Sequence, residues 1–193
     1  MISDMTKYRD YKKLNLCCGD NLLKNFLNVD VCEEADLKRD LSVFPWPWDN
    51  ESIDEVYMCH ALEHFPDQQV VILEMHRILK KGGKITLIVP HSSSVMAIGC
   101  MGHYRTYSYD TLNDYLTRPF YMFKKALFKT EFQELRWWYN RPTTNIPEWM
   151  YVFIYPMDFI INKLIKLSPR VFENLWCYYV GGAKEVEWRG VKI

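Results

Sequence analysis

The chain of 193 residues is long enough for one domain with a full apolar core. It is 49% hydrophobic and 25% charged, as in ordinary globular proteins, and its net charge of +0 gives no general attraction to nucleic acid or anionic membranes. The first residues lack the apolar segment of a signal peptide, and the apolar run from Trp149 to Ile165 is too interrupted for a confident membrane span. The six cysteines form no C-x-x-C pair, which predicts reduced thiols in a cytoplasmic protein and no metal site.

Residues 13–30 carry the first functional signal. We predict a buried strand from Leu14 to Cys17, a tight turn around Gly19 and a second strand from Phe26 to Val31. Because glycine has no Cβ, the backbone at Gly19 lets a ligand approach closely. Asp30, at the end of the second strand, can accept hydrogen bonds from two ribose hydroxyls. The pattern predicts a nucleoside site at the carboxyl ends of parallel strands.

The next elements follow the order of an α/β protein. Two prolines within residues 44–50 forbid a helix or a central strand there. A helix then separates two strands, and the second of these is apolar enough to be covered on both faces. This order favours a parallel sheet. The predicted elements are a third strand at 35–41, a fourth at Ile53 to Cys59, a helix from Pro66 that ends at Lys80 to Gly83, and a fifth strand at Lys84 to Pro90.

The C-terminal part of the chain is rich in aromatic residues and less regular. Phe120 to Phe128 and Glu131 to Tyr139 are predicted to supply the sixth strand and its neighbour. Ala183 to Ile193 alternates as a final antiparallel strand does. Residues 141–176 hold amphipathic helical pieces between prolines. Their apolar side chains predict either a cover over the sheet or a contact surface for a second copy, a lipid-linked substrate or a membrane.

Three segments, in the correct order, resemble the class I S-adenosylmethionine-dependent methyltransferases, and the chain is most similar to the type 11 methyltransferases. Cys18-Gly19 matches the Cys-Gly core of the family's glycine-rich turn, and the short distance from Gly19 to Asp30 implies that the family's first helix is reduced to about one turn here. The segment His60 to Phe65 (HALEHF) follows the fourth strand as the family's hxLEH segment does. The run from Leu79 to Pro90 (LKKGGKITLIVP) resembles the corner before the fifth strand. A nicotinamide-dependent dehydrogenase would need G-x-G-x-x-G here, and the turn offers only Gly19.

The resemblance implies a Rossmann-like three-layer α/β sandwich with a mostly parallel, seven-stranded sheet and an antiparallel last strand. It implies one domain over residues 1–193, with a cofactor-binding core at 13–110 and a covering and substrate-side region at 111–193. S-adenosylmethionine would be the cofactor, and the acceptor a small molecule, a sugar or a lipid-linked compound. The alternative is a catalytically inactive cofactor-binding or partner subunit, because Cys17 and Asn21 stand where the family has glycines. Nucleic acid is not expected as a partner, whereas peripheral membrane contact and a homodimer stay open.

The resemblance also assigns roles to individual residues. Histidine has a pKa of about 6.5, which suits a general base near neutral pH, and each candidate histidine has a structural role as its alternative. The candidate bases are His64, His91 and His103. The predicted cofactor-binding positions are Asn15, Leu16, Cys17, Cys18, Gly19, Asp30, Val31, Asp40, Leu41, His60 and Ala61.

Overall fold

The computed structural model describes residues 8, 10–119, 122–137, 148–178 and 182–193. Its centre is one sheet of seven strands. The strands are β1 (Lys13–Leu16), β2 (Leu27–Asp30), β3 (Leu37–Lys38), β4 (Ile53–Cys59), β5 (Leu79–Pro90), β6 (Phe128–Arg136) and β7 (Glu185–Lys192).

Helices are few and mostly short. The first one, Gln68–Ile78, begins where the sequence predicts, because the Asp67 carboxylate accepts hydrogen bonds from the backbone N–H groups of Gln69 and Val70. The helices are α1 (Gln68–Ile78), α2 (Val95–Gly99), α3 (Thr111–Thr117), α4 (Tyr151–Leu167) and α5 (Pro169–Val171), and α5 continues as a π-helical turn over Phe172–Cys177. None of the helices in the described ranges is both long and apolar enough to cross a membrane.

The strands lie in the order β3-β2-β1-β4-β5-β7-β6. The first five pair in parallel, and β7 runs antiparallel to both of its neighbours, β5 and β6. This confirms the predicted α/β fold with a mostly parallel sheet and an antiparallel last strand. Parallel strands end at the same edge, so the carboxyl ends of β1, β2, β4 and β5 and the loops that follow them meet at one edge of the sheet.

The two faces of the sheet differ in chemistry. Side chains alternate along each strand, and paired neighbours point to the same face. The apolar face is buried in the core and comprises Leu14, Leu16, Val56, Met58, Ile85, Leu87, Val186 and Trp188. The polar face comprises Lys13, Asn15, Glu55, Tyr57, Lys84, Thr86, Glu185, Glu187 and Arg189, and a groove of about 450 Å³ lies along it.

Several predicted elements differ from those found. The resemblance predicted about one turn of helix between β1 and β2, but residues 17–26 form only turns, because the loop is held by side-chain hydrogen bonds instead. Helix α1 ends at Ile78, before the predicted cap. Strand β5 was expected to be covered on both faces, yet Lys84 is exposed. The prediction for Phe120 to Phe128 falls partly outside the described residues, and its described part before β6 is not a strand.

Candidate cofactor site

A pocket of about 270 Å³ lies at the carboxyl ends of β1 and β4. Its position is that expected of a ligand site in an open parallel sheet. Four predicted cofactor-binding residues line it: Cys17, Cys18, Gly19 and His60. The remaining lining residues are Asp20, Asn21, Cys59, Met96 and Lys184.

The pocket wall includes three residues in the left-handed backbone conformation. Gly19 has a φ of 50°, and Cys17 and His60 have φ values of 52° and 50°. Glycine adopts this conformation without steric cost, whereas a residue with a Cβ adopts it at a cost of about 1–2 kcal/mol. Cys17 therefore keeps the glycine-like backbone of the family's turn while adding a thiol. Burial raises the pKa of the Cys17 thiol to about 12, so it is neutral near pH 7.

Asp30 joins the end of β2 to the turn after β1. One of its carboxylate oxygens accepts a hydrogen bond from the Gly19 backbone N–H at 2.9 Å. The other accepts from the N–H groups of Val31 and Cys32, at 2.6 and 3.2 Å. A carboxylate has about four lone-pair sites, so Asp30 retains acceptor capacity for a hydroxyl group. The Asp30 carboxylate thus orders the turn, and it fits a ribose ligand.

A pair of buried carboxylates holds His60. Its Nε2 lies 3.0 Å from the Glu185 carboxylate, and its Nδ1 lies 3.7 Å from that of Glu63. Burial alone would lower the pKa of His60, but the hydrogen bond to Glu185 and the charges of both carboxylates raise it to about 9. His60 is therefore an imidazolium at neutral pH. Among the described residues, neither oxygen of the fully buried Glu63 has a hydrogen-bond partner.

The geometry agrees with the sequence comparison. A sequence model of the methyltransferase domain family matches residues 18–87, which include the turn, Asp30, His60 and the whole of β4. This part of the chain is therefore similar to the methyltransferase domain family. The pocket residues fit S-adenosylmethionine, the cofactor that this similarity implies: a Cβ at Gly19 would meet nothing within 4 Å, which leaves room for close approach.

Solved structures of methyltransferases share the fold of this chain at low sequence identity. A methyltransferase of Archaeoglobus fulgidus is 16% identical, with a TM-score of 0.54, over 97% of this chain and 91% of that one. A methyltransferase of Mesorhizobium loti is 16% identical, with a TM-score of 0.52, over 94% and 90%. A structure from Haloferax volcanii is a complex between the Trm112 methyltransferase activator and a methyltransferase. The matched chain is 17% identical to this one, with a TM-score of 0.54, over 93% of this chain and 81% of that one. No curated protein matches the chain.

The other predicted cofactor-binding residues do not line the pocket. Buried Asn15 donates hydrogen bonds to the Asn21 carbonyl oxygen and the Asn28 side chain, and so supports the loop from behind. The Asp40 carboxylate accepts hydrogen bonds from the backbone and hydroxyl of Ser42, which lower the pKa of Asp40. Leu16, Leu41 and Ala61 belong to the core, and Val31 exposes most of its side chain beside Asp30.

The three candidate bases occupy different environments. His91 is fully buried, and its two ring nitrogens are bonded to Ser93 and Glu173 at 2.7 and 2.8 Å. Its burial and these two bonds favour the structural alternative for His91 over a role as a base. His64 and His103 lie together near the surface, with ring centroids 4.6 Å apart.

Sequence reasoning missed the part of the site that β7 supplies. Glu185 holds His60, and Lys184 lines the pocket, more than 120 residues along the chain from the histidine. Burial lowers the pKa of Lys184. The available signal was an acid at an alternating position of a predicted strand, which the antiparallel pairing of β7 with β5 brings to the polar face.

Proposed function

We propose that the chain is an S-adenosylmethionine-dependent methyltransferase that acts on an apolar, lipid-linked acceptor. The observation that carries the proposal is the rim of the cofactor pocket. Helix α2 contributes Met96 to the lining, and it exposes 87% of Val95 and 73% of Ile98. Met101, just beyond the helix, is fully exposed. Exposed apolar side chains grouped beside a pocket are typical of a binding surface for an apolar partner.

A second apolar surface belongs to a segment that is bonded to the loop before this rim. The π-helical turn after α5 is attached to the loop that leads into α2, through His91 with Glu173 at 2.8 Å and Ser92 with Tyr178 at 3.1 Å. Helix α4, directly before α5, exposes Val152, Phe153, Phe159, Ile160, Leu164 and Leu167. A helix of this kind can lie in the interface of a membrane without spanning it. We propose that α4 rests on a lipid surface and that the pocket rim receives the acceptor from it.

The chain's own residues would bind and orient the reactants. When bound, S-adenosylmethionine supplies an activated methyl group on a sulfonium for in-line displacement. Gly19 and Asp30 would hold the nucleoside end of the cofactor. Alignment of donor and acceptor can lower the activation free energy by about 7–11 kcal/mol.

An oxygen acceptor would also need a base. His60 is already protonated at neutral pH, so it cannot accept the proton. The Nδ1 atoms of His64 and His103 lie 3.1 and 3.2 Å from the backbone carbonyl oxygens of Gly102 and Ala97. Because a carbonyl can only accept, each Nδ1 carries the hydrogen, and each Nε2 has its lone pair available. Either histidine could therefore take up the acceptor's proton, for about 10²–10⁴-fold in rate.

The test is a turnover assay that measures S-adenosylhomocysteine formation with lipid extracts and with a panel of water-soluble sugars and metabolites. We expect turnover with the lipid fraction. Ile98→Asp, at the rim, should lower it at least tenfold, while Phe132→Asp, which alters an exposed apolar residue of β6, should not. Faster methylation of soluble acceptors would overturn the lipid assignment, as would a dimer in solution that the Ile160→Asp substitution dissociates.

The non-catalytic alternative also has an observation in its favour. Both carboxylate oxygens of Asp30 already accept backbone hydrogen bonds, so the turn has a structural use for this acid. Binding of S-adenosylhomocysteine without turnover on any acceptor would support a partner subunit.

All six cysteines are free thiols in the structure, and we expect the protein to work in a reducing compartment such as the cytoplasm.

A further inference from the structure

Three potential metal ligands converge from two loops at the carboxyl edge of the sheet. His64 lies in the turn after β4, and Cys100 and His103 lie in the loop after α2. One nitrogen of each imidazole ring and the Cys100 sulfur lie within 4.8 Å of one another. Linear spacing gives no sign of this group, because 36 positions separate His64 from Cys100.

The hydrogen bonds of the two rings prepare them for coordination. Each Nδ1–H donates to a backbone carbonyl, that of Gly102 for His64 and that of Ala97 for His103. This fixes the tautomer in which Nε2 has a free lone pair. Histidines that bind metals almost always donate their other N–H in this way, which also fixes the orientation of the ring.

The loop approaches His64 closely because residue 102 is glycine. A Cβ at Gly102 would lie 3.2 Å from Nδ1 of His64 and 3.9 Å from the Cys100 sulfur. The His64 and Cys100 side chains are exposed, so an ion can enter from solvent. The three ligand atoms therefore form an accessible cluster that a small movement of the loop would tighten.

We propose that His64, Cys100 and His103 bind a zinc-class divalent ion. Two imidazoles and one thiolate are the donor set that suits Zn²⁺. Its bond lengths of about 2.0–2.3 Å place tetrahedral ligand atoms roughly 3.5 Å apart, so the ligand atoms must approach one another by at most about 1.3 Å. Three protein ligands leave a fourth position for water or for an acceptor heteroatom, as in catalytic zinc sites.

This site would change the role of the two histidines in the reaction proposed above. As ligands, His64 and His103 could not act as bases. The ion would instead acidify an oxygen atom in its fourth position, as bound metal ions do for water. The metal site itself rests only on the geometry of the cluster. Metal binding can therefore be tested without an acceptor and without turnover.

Co²⁺ binding to the purified full chain, stripped of metal by a chelator, tests the proposal. We expect one equivalent to bind, with visible bands of a tetrahedral site and a near-ultraviolet thiolate-to-cobalt charge-transfer band. Excess Zn²⁺ should displace the cobalt. Cys100→Ser should remove the charge-transfer band. His103→Ala should weaken Co²⁺ binding by about 100-fold or more, because loss of a residue that only hydrogen-bonds to a ligand already lowers metal affinity by about 10–100-fold.

The matched control is Cys32→Ser, because Cys18, Asp30 and Cys32 form a second group of potential ligands within 4.8 Å among the described residues. Burial raises the pKa of Cys18 to about 12, which disfavours the thiolate that a metal needs. The control should bind Co²⁺ with an unchanged spectrum. The proposal is overturned if the chain binds no Co²⁺, or if Cys32→Ser rather than Cys100→Ser abolishes the charge-transfer band. Either result leaves methyl transfer itself to be decided by the turnover assay.

Discussion

On the apolar face of the sheet, Trp188 is fully buried, contacts the Phe128 ring edge to face and donates a hydrogen bond to Thr130. Its neighbour Arg189 points to the polar face, is half exposed and pairs with Glu187. One strand thus serves a packed core on one side and an ion-paired surface on the other. The comparison shows that the apolar face stabilises the fold, whereas the polar face carries charged side chains up to the cofactor pocket. There, Glu185 of β7 pairs with His60.

The largest effect is expected from the apolar face. Trp188→Ala should lower the free energy of unfolding by about 3–5 kcal/mol, because it leaves a cavity beside Phe128. Arg189→Ala, one residue away on the polar face, should change it by no more than about 0.5 kcal/mol. Urea denaturation measures both. Similar losses in the two variants would show that the faces do not divide the stability in this way.

His60, beside the polar face, should make the free energy of unfolding decrease at alkaline pH. The pKa of His60 is about 9 in the folded state and about 6.5 in the unfolded chain, so its stabilisation is complete below about pH 6.5 and is lost as the pH rises through 9. His60→Gln should remove most of this loss of stability, which amounts to about 1–3 kcal/mol in the wild-type protein. Unfolding measured at about pH 6 and pH 9.5 tests this, and a wild-type stability that is constant over this range would contradict it.

His76, on the apolar side of the sheet, should make the free energy of unfolding decrease at acidic pH. His76 of α1 packs edge to face on Phe128, and burial together with Lys192 and Lys125 lowers its pKa to about 4. Its contribution to stability is complete above about pH 6.5 and is lost as the pH falls towards 4. His76→Gln should therefore reduce the loss of stability between these values. Carboxylates also titrate in this range, so the measurement is the difference between the variant and wild-type curves.

The smallest effect is expected from the polar face far from the site. Lys13 and Glu55 pair at 2.7 Å, and their side chains are 47% and 27% exposed. Exposed pairs contribute little, because solvent and salt screen them. Lys13→Met should leave the midpoint of urea unfolding unchanged within error, at low and at high salt. A clear, salt-dependent loss would mean that the polar face is held together by its charges.

Much of the fold could be predicted from the sequence where local signals agree with the tertiary contacts. Strand β4 begins and ends where predicted, because an apolar alternating run lies between clear turn residues. The helix expected after β1 is absent, because Asn15 and Asn28 hold residues 21–23 through side-chain bonds that a helical prediction does not foresee.

The site was predictable only in its local parts. Cys17, Gly19 and His60 lie at strand ends and were found from their motifs. The partner that buries His91, Glu173, lies 82 positions away, and Glu185 lies 125 positions from His60. Contacts of such separation depend on the path of the whole chain, so pattern and spacing do not reveal them.

The most direct test of the central claim is calorimetric titration with S-adenosylhomocysteine. We expect one site per chain, and Asp30→Ala and the more conservative Asp30→Asn should weaken binding at least tenfold, since a charge-assisted hydrogen bond contributes about 1.5–3 kcal/mol. The control is Asp54→Ala, an exposed aspartate of β4 that pairs with Lys80. Binding that Asp30 variants lose and the control retains is the predicted result. No heat of binding at millimolar ligand, or equal loss in the control, would contradict a cofactor site at this edge of the sheet.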